Sequence, residues 1–190
     1  MQIPESDNAR LRLLNAAREL FCREGIHATG IANVLSRANV ARRTLYVQYG
    51  SKENLLRAVF ERESRMWMDW FDVDLPKLKG DPHVQLLGLF DLLYQWFGSR
   101  DFYGCIFINA TVEHDKVSSW VTPLVQEHLS KVQQRILVLT KLLGSPSPAQ
   151  LAAELALLID GAIVTAMTVR TPEAARTAQR IASHLIAKKA

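Results

Sequence analysis

The stretch Asn39-Val40-Ala41-Arg42-Arg43-Thr44-Leu45-Tyr46-Val47-Gln48-Tyr49-Gly50-Ser51-Lys52-Glu53 decides how the chain is read. Two adjacent arginines open a short amphipathic run whose apolar side is Leu45 and Tyr49, so the basic and polar side is left to face something outside the protein. Just upstream, Ile31, Val34, Leu35 and Ala38 fall at helical spacing, which predicts a first short helix over 30–38. Asn39 then stands where a tight turn needs a residue that accepts positive φ, and Val40 packs back into the corner. A second helix follows over about 42–48. In such a helix-turn-helix the N-terminal end of the second helix enters the major groove of DNA. An arginine there can pair with guanine O6 and N7, while Thr44 and Tyr46 suit phosphate oxygens.

Outward from this stretch, Leu13, Ala16, Ala17, Leu20 and Phe21 repeat at threes and fours and predict one helix over 7–24, closed by Gly25. His27 falls in the loop after it. Residues 1–6 read as a loose arm, since Pro4 discourages helix. Downstream, Ser51 is an N-cap for a long helix to about residue 73, whose first N–H groups, with Lys52, form a phosphate site. These features divide the chain into a three-helix head at 1–50 and a helical body at 51–190.

From Arg12 to Val59 the chain resembles the DNA-binding domain of the TetR family of bacterial transcriptional regulators. The likeness runs through Leu14, Ala16-Ala17, Leu20-Phe21, Gly25, Thr29, Val34, Ala38, Val40, Thr44-Leu45-Tyr46, Tyr49 and Ser51-Lys52-Glu53. It implies an all-α protein of about nine helices, a homodimer on a palindromic DNA operator. It also implies that a small molecule in the C-terminal body changes the grip on DNA. The DNA-contacting set expected is Thr29, Arg42, Arg43, Thr44, Tyr46, Gln48 and Lys52. The sequence departs from the family pattern at Asn39 (usually glycine), Ala41 (usually a serine cap), Arg43 (usually glycine) and Gln48 (usually histidine), which implies an operator sequence of its own.

Composition is that of an ordinary soluble protein. The net charge of +4 is uneven, because residues 1–50 hold seven arginines against four carboxylates; a basic end on a near-neutral body fits steering toward nucleic acid. The two cysteines, Cys22 and Cys105, lack metal-ligand spacing and read as reduced thiols of a cytoplasmic protein. No charged-then-apolar leader opens the chain. The apolar stretch 155–169 is broken by Asp160 and falls short of the roughly 20 residues of a membrane helix, so it reads as a core helix and no membrane partner is expected.

In the body, Pro76 and Gly80 flank a break, and Asp81-Pro82 restarts a helix. That helix is apolar almost all round over 84–97, so Asp91 within it needs a cap, an arginine or a ligand as partner. Residues 98–104 read as a loop and 105–114 as a short apolar helix. Its Gly104-Cys105 start and Asn109-Ala110 pair resemble a subset of TetR-like bodies in which the segment borders the pocket. Val125, Leu129, Val132, Ile136, Leu139 and Leu143 form a heptad-like seam, and Gly161, Ala162 and Ala166 let another helix come close. The helices at about 119–143 and 148–169 are therefore expected to form the homodimer interface. A final helix presents Ala174, Ala178, Ile181 and Leu185 to the body.

Aromatic residues concentrate on the segments that line the ligand cavity in the family resembled. The expected effector contacts are Trp67, Trp70, Phe71, Phe90, Asp91, Tyr94, Phe107, Asn109 and His114, for an apolar or aromatic small molecule. His83, His128 and His184 read as helix-surface residues. There is no glycine-rich phosphate loop, nucleophile elbow or paired Cys-x-x-Cys, and neighbours in Glu113-His114-Asp115 point in different directions on a helix. No catalytic residue, metal or cofactor is expected. The alternatives are a ligand-activated regulator and a non-regulatory helical binding protein or enzyme that keeps the helix-turn-helix only as a packing unit.

Overall fold

A computed structural model of the chain describes residues 5–78, 80–113 and 120–188. Among them all regular structure is helical: α1 (Glu5–Glu24), α2 (Ile31–Ala38), α3 (Arg42–Gln48), α4 (Lys52–Asp69), a π-helical turn (Trp70–Asp74), α5 (Leu75–Lys77), α6 (Pro82–Phe97), α7 (Ile106–Glu113), α8 (Val121–Leu142), α9 (Pro148–Val169) and α10 (Glu173–Lys188). The run from α4 through the π turn to α5 is uninterrupted. Counted as one rod it brings the described residues to nine helices, as expected.

By compactness the chain forms two units, residues 1–64 with 105–125 and residues 65–104 with 126–190. In the first, α1 buries Leu13, Ala17 and Phe21, α2 buries Val34 and Ala38, and α3 buries Leu45. Asn39 adopts the left-handed conformation (φ 50°, ψ 57°), with its N–H turned back to the end of α2. The unit also takes in the start of α4 and all of α7, because Phe60 packs on Phe107 at 5.2 Å and Arg18 pairs with Glu63 at 2.9 Å. This compactness boundary is a different line from the functional one placed at residue 50. Cys22 and Cys105 are buried here. Burial, and then Glu63, pushes the Cys22 thiol up to about 12, so it packs as a small apolar group.

In the second unit α10 lies on α6 and α9. The side chains that α10 buries are Ala174, Ala175, Ala178, Ala182 and Ile186, and Ile181 is exposed. The expected stripe is thus rotated, because small side chains let helices approach closely while the large ones on the adjoining face turn out. On α8 the expected Val125, Val132 and Ile136 are buried, together with Val121, His128 and Thr140, while Leu129 is exposed. His128 is therefore a core residue and not a surface one.

Helix α9 has 22 residues and is long and apolar enough, by length and composition, to cross a membrane; the length argument made from 155–169 does not hold. One face of α9 is buried through Leu151, Leu155, Ile159, Ile163 and Ala166. At its far end the loop before α7 comes close enough that a Cβ on Gly104 (φ +91°) would collide with Met167.

Candidate functional site

The surface of α3 carries the first candidate site. Arg42, Arg43, Tyr46 and Val47 are exposed, Thr44 and Gln48 are half-buried, and Leu45 and Tyr49 are buried. Burial of Leu45 fixes which side of the helix faces out, and the Tyr49 hydroxyl holds the register by donating to the Arg10 carbonyl at 3.0 Å. Ala41 precedes the helix in extended geometry and supplies no side-chain cap. Its carbonyl accepts from Thr44 N–H at 2.9 Å.

Elsewhere in the head arginines are spent on carboxylates: Arg18 on Glu63, Arg23 on Glu19 and Glu24, Arg37 on Glu19. No described residue pairs with Arg42 or Arg43, which with Arg12 and with Arg10, stacked over Tyr49 at 5.1 Å, are the arginines of the head that no carboxylate among the described residues takes up. Val47, one turn after Arg43, is 70% exposed. Its place was missed in the sequence, although the spacing of four from Arg43 was the available signal. An exposed apolar side chain beside an arginine on this face suits a thymine methyl group.

The loop between α1 and α2 is tied down by residues far away in sequence. Lys52 Nζ donates to the carbonyls of Ile26 (3.0 Å) and Thr29 (2.6 Å) and lies over the Phe21 ring at 5.8 Å. Burial lowers its pKa, against the opposing pull of Glu113. Two of its three N–H donors are therefore committed to the loop. Glu113, at the end of α7, accepts from Ile26 N–H at 2.7 Å and His27 N–H at 3.1 Å. A Cβ on Gly25 (φ +95°) would stand 3.1 Å from that carboxylate, so glycine is needed there for conformation and for closeness alike. Thr29 is fully buried, its hydroxyl donating to Gly25 O at 2.6 Å. This corrects its expected role on DNA, because a hydroxyl consumed inside the loop presents nothing to a phosphate. Ser51 Oγ accepts from Asn54 N–H at 3.0 Å and caps α4 as the sequence indicates.

Of the expected effector contacts, Trp67, Trp70, Phe71, Phe90, Asp91 and Tyr94 lie in the second unit and Phe107 and Asn109 in the first. Trp67 and Trp70 join Trp96, Phe97, Phe102 and His128 in one aromatic cluster of the second unit, with ring centroids 4.8–5.9 Å apart. Phe71 and Phe90 are buried core residues. Asp91 and Tyr94 lie on the α10 side of α6. There Asp91 accepts from Arg176 and from Gln179 (3.1 Å), and Arg176 stacks over Tyr94 at 4.3 Å. The partner that Asp91 needed is thus an arginine. Phe107 belongs to the first unit, against Phe60. Asn109 is half-buried on α7, and His114 lies outside the described residues, as does Asp115.

Residues 13–59 match the family model of bacterial regulatory proteins, tetR family. Over 55 residues the chain is 36% identical to the HTH-type transcriptional regulator UidR of Escherichia coli, a match covering 29% of this chain and 28% of that protein. Over 56 residues it is 41% identical to the HTH-type transcriptional activator FasR of Mycolicibacterium smegmatis, covering 30% and 26%. The match to these curated relatives thus spans little more than a quarter of their length. The whole fold is similar to a TetR-family transcriptional regulator from Streptomyces coelicolor (TM-score 0.88, 24% identity, 96% of each chain) and to a TetR regulator from Chloroflexus aurantiacus (TM-score 0.84, 19% identity, 98% of each chain). Residues 13–59 thus carry the domain of the tetR family of bacterial regulatory proteins, and the fold of the chain is similar to that of TetR-family transcriptional regulators.

Proposed function

We propose that the chain is a ligand-responsive, DNA-binding transcriptional regulator that acts in the cytoplasm without catalytic activity. It binds a palindromic operator as a homodimer and represses, and a small apolar or aromatic effector releases it. The observation that carries this reading is the pair Arg42 and Arg43, exposed and free of carboxylate partners among the described residues at the N-terminal end of α3. A helix kept only for packing has no use for two such cations. Arg42, Arg43, Thr44, Tyr46, Val47 and Gln48 face the groove and backbone, and Lys52 contributes its remaining N–H at the rim.

Self-association is supported by apolar side chains left exposed on three helices: Leu129, Val138 and Leu142 on α8, Leu157, Val164 and Val169 on α9, and Ile181 on α10. Between α9 and α10 lies a cleft of about 370 Å³ lined by Leu157, Gly161, Ala178 and Ile181 among others. One curated relative of the head is named an activator, which favours ligand-dependent activation as the second reading.

Selection of bound fragments from sheared genomic DNA tests the proposal. Enrichment of a palindrome whose half-sites lie about one helical turn apart, or a multiple, is the expected result. Retention no better than for bulk DNA, with and without cell extract as a source of effector, would overturn it.

A further inference from the structure

The exposed face of α3 has a centre and two flanks. With successive side chains of a helix turned by about 100°, Val47 points directly away from the midpoint of the buried pair Leu45 and Tyr49, and Arg43 stands about 40° from that direction. Arg42 and Tyr46 fall on one flank, Thr44 and Gln48 on the other. Val47 is also the most exposed large apolar side chain of the head among the described residues. It gains nothing there from burial, and as a β-branched residue it forms helix less readily than alanine. The helix that carries it has seven residues and no side-chain cap, so for stability alone valine is a poor choice at this position.

In a helix laid in the major groove the outward centre meets base edges and the flanks meet the phosphate walls. The floor of that groove presents donors, acceptors and one apolar group, the 5-methyl of thymine. Valine has no polar atom, so a donor or acceptor set against it would lose water and gain no partner. The methyl is the group on that floor from whose burial valine gains. Arg43 precedes Val47 by one turn, about 6 Å along the axis, and base pairs stack at about 3.4 Å. The two side chains therefore stand about two base-pair steps apart.

We infer that Val47 determines specificity: each half-site carries a thymine whose 5-methyl group packs on Val47, about two base-pair steps from a guanine read by Arg43. This names part of the DNA sequence recognised in the proposed function, and it rests on that reading.

The full chain is used to select duplexes from a randomised library. The recovered palindrome is then resynthesised with each thymine of both half-sites replaced in turn by uracil, which lacks only the 5-methyl group. At one position the loss should be about fourfold per half-site, or about fifteenfold on the palindrome. Val47→Ala and Val47→Asn, one shortened and one made polar, should each bind the thymine and uracil duplexes nearly equally there, so that either variant decides if the other fails to fold. Arg43→Ala should lose its preference for guanine about two steps away. No loss at any uracil, a full loss that survives both Val47 substitutions, or a sensitive thymine more than about three steps from that guanine would each overturn the inference. A recovered palindrome without a uracil-sensitive thymine leaves the regulator standing and removes the role of Val47. A library from which nothing is enriched, with or without cell extract, removes both.

Discussion

Removal of the Lys52 ammonium takes a donor from two backbone carbonyls, those of Ile26 and Thr29, whereas removal of the Arg43 guanidinium takes a contact from no described residue. Lys52→Ala should therefore destabilise the protein by about 1–3 kcal/mol as well as weaken binding to all DNA. Arg43→Ala should leave the denaturation midpoint within about 0.5 kcal/mol of the parent and relax base choice at one position per half-site by about 1–3 kcal/mol. Denaturant titration beside binding to operator variants checks both; equal losses on every sequence would remove Arg43 from base reading. Gly25→Ala should cost about 1–2 kcal/mol for its left-handed backbone alone, with the Glu113 carboxylate 3.1 Å from the new Cβ adding to it. At this scale Asn39 and the arginine pair were legible, because the turn and the helix end are local. Thr29 and Lys52 were not, since Lys52 reaches carbonyls 26 and 23 residues away and no local pattern records that.

Among the elements, α3 is the shortest in the head that must keep its place, with seven residues and no side-chain cap at Ala41. The extended geometry of Ala41 (φ −70°, ψ 152°) is what an N-cap serine adopts. Ala41→Ser should stabilise by about 1 kcal/mol, read as a rise in melting temperature; no rise would mean that the first turn of α3 gains nothing from the hydroxyl. Helix existence was legible throughout, but helix phase held only in part: Val125, Val132 and Ile136 on α8 and Ala174 and Ala178 on α10 are buried as expected, and Leu129 and Ile181 are exposed. On α10, Ile181 and Leu185 lie next to Ala182 and Ile186 in sequence, so two apolar stripes overlap and periodicity cannot choose between them. Close approach to α6 and α9 chooses the alanines. The π turn at Trp70 had no signal in composition at all.

For the whole molecule, the exposed strip on α9 and α10 bears on assembly. Leu157 is 74% exposed, so Leu157→Asp should leave the monomer's fold intact and shift sedimentation from dimer to monomer, with loss of operator affinity. The same measurement would exclude this face if the dimer persisted. Stability against pH turns on His128, which was read as a surface residue and is 3% exposed. Burial, and then Lys131, lowers its pKa from 6.5 to about 4. Between those values the unfolded chain takes up a proton at this position and the folded protein does not. Unfolding is therefore favoured as pH falls from about 6.5 to about 4, and the stability present above 6.5 is lost through that window. At about 1.4 kcal/mol per pH unit the full span is worth about 3 kcal/mol. His128→Gln, which cannot titrate, should flatten this part of the pH profile in denaturant titrations, whatever its effect at neutral pH. Because His128 packs edge-on against Trp67 at 5.9 Å, protonation disturbs the aromatic cluster of the second unit. Acid should therefore alter tryptophan fluorescence before the chain unfolds globally, and a fluorescence change that coincides with global unfolding would mean that the cluster and the rest of the protein give way as one.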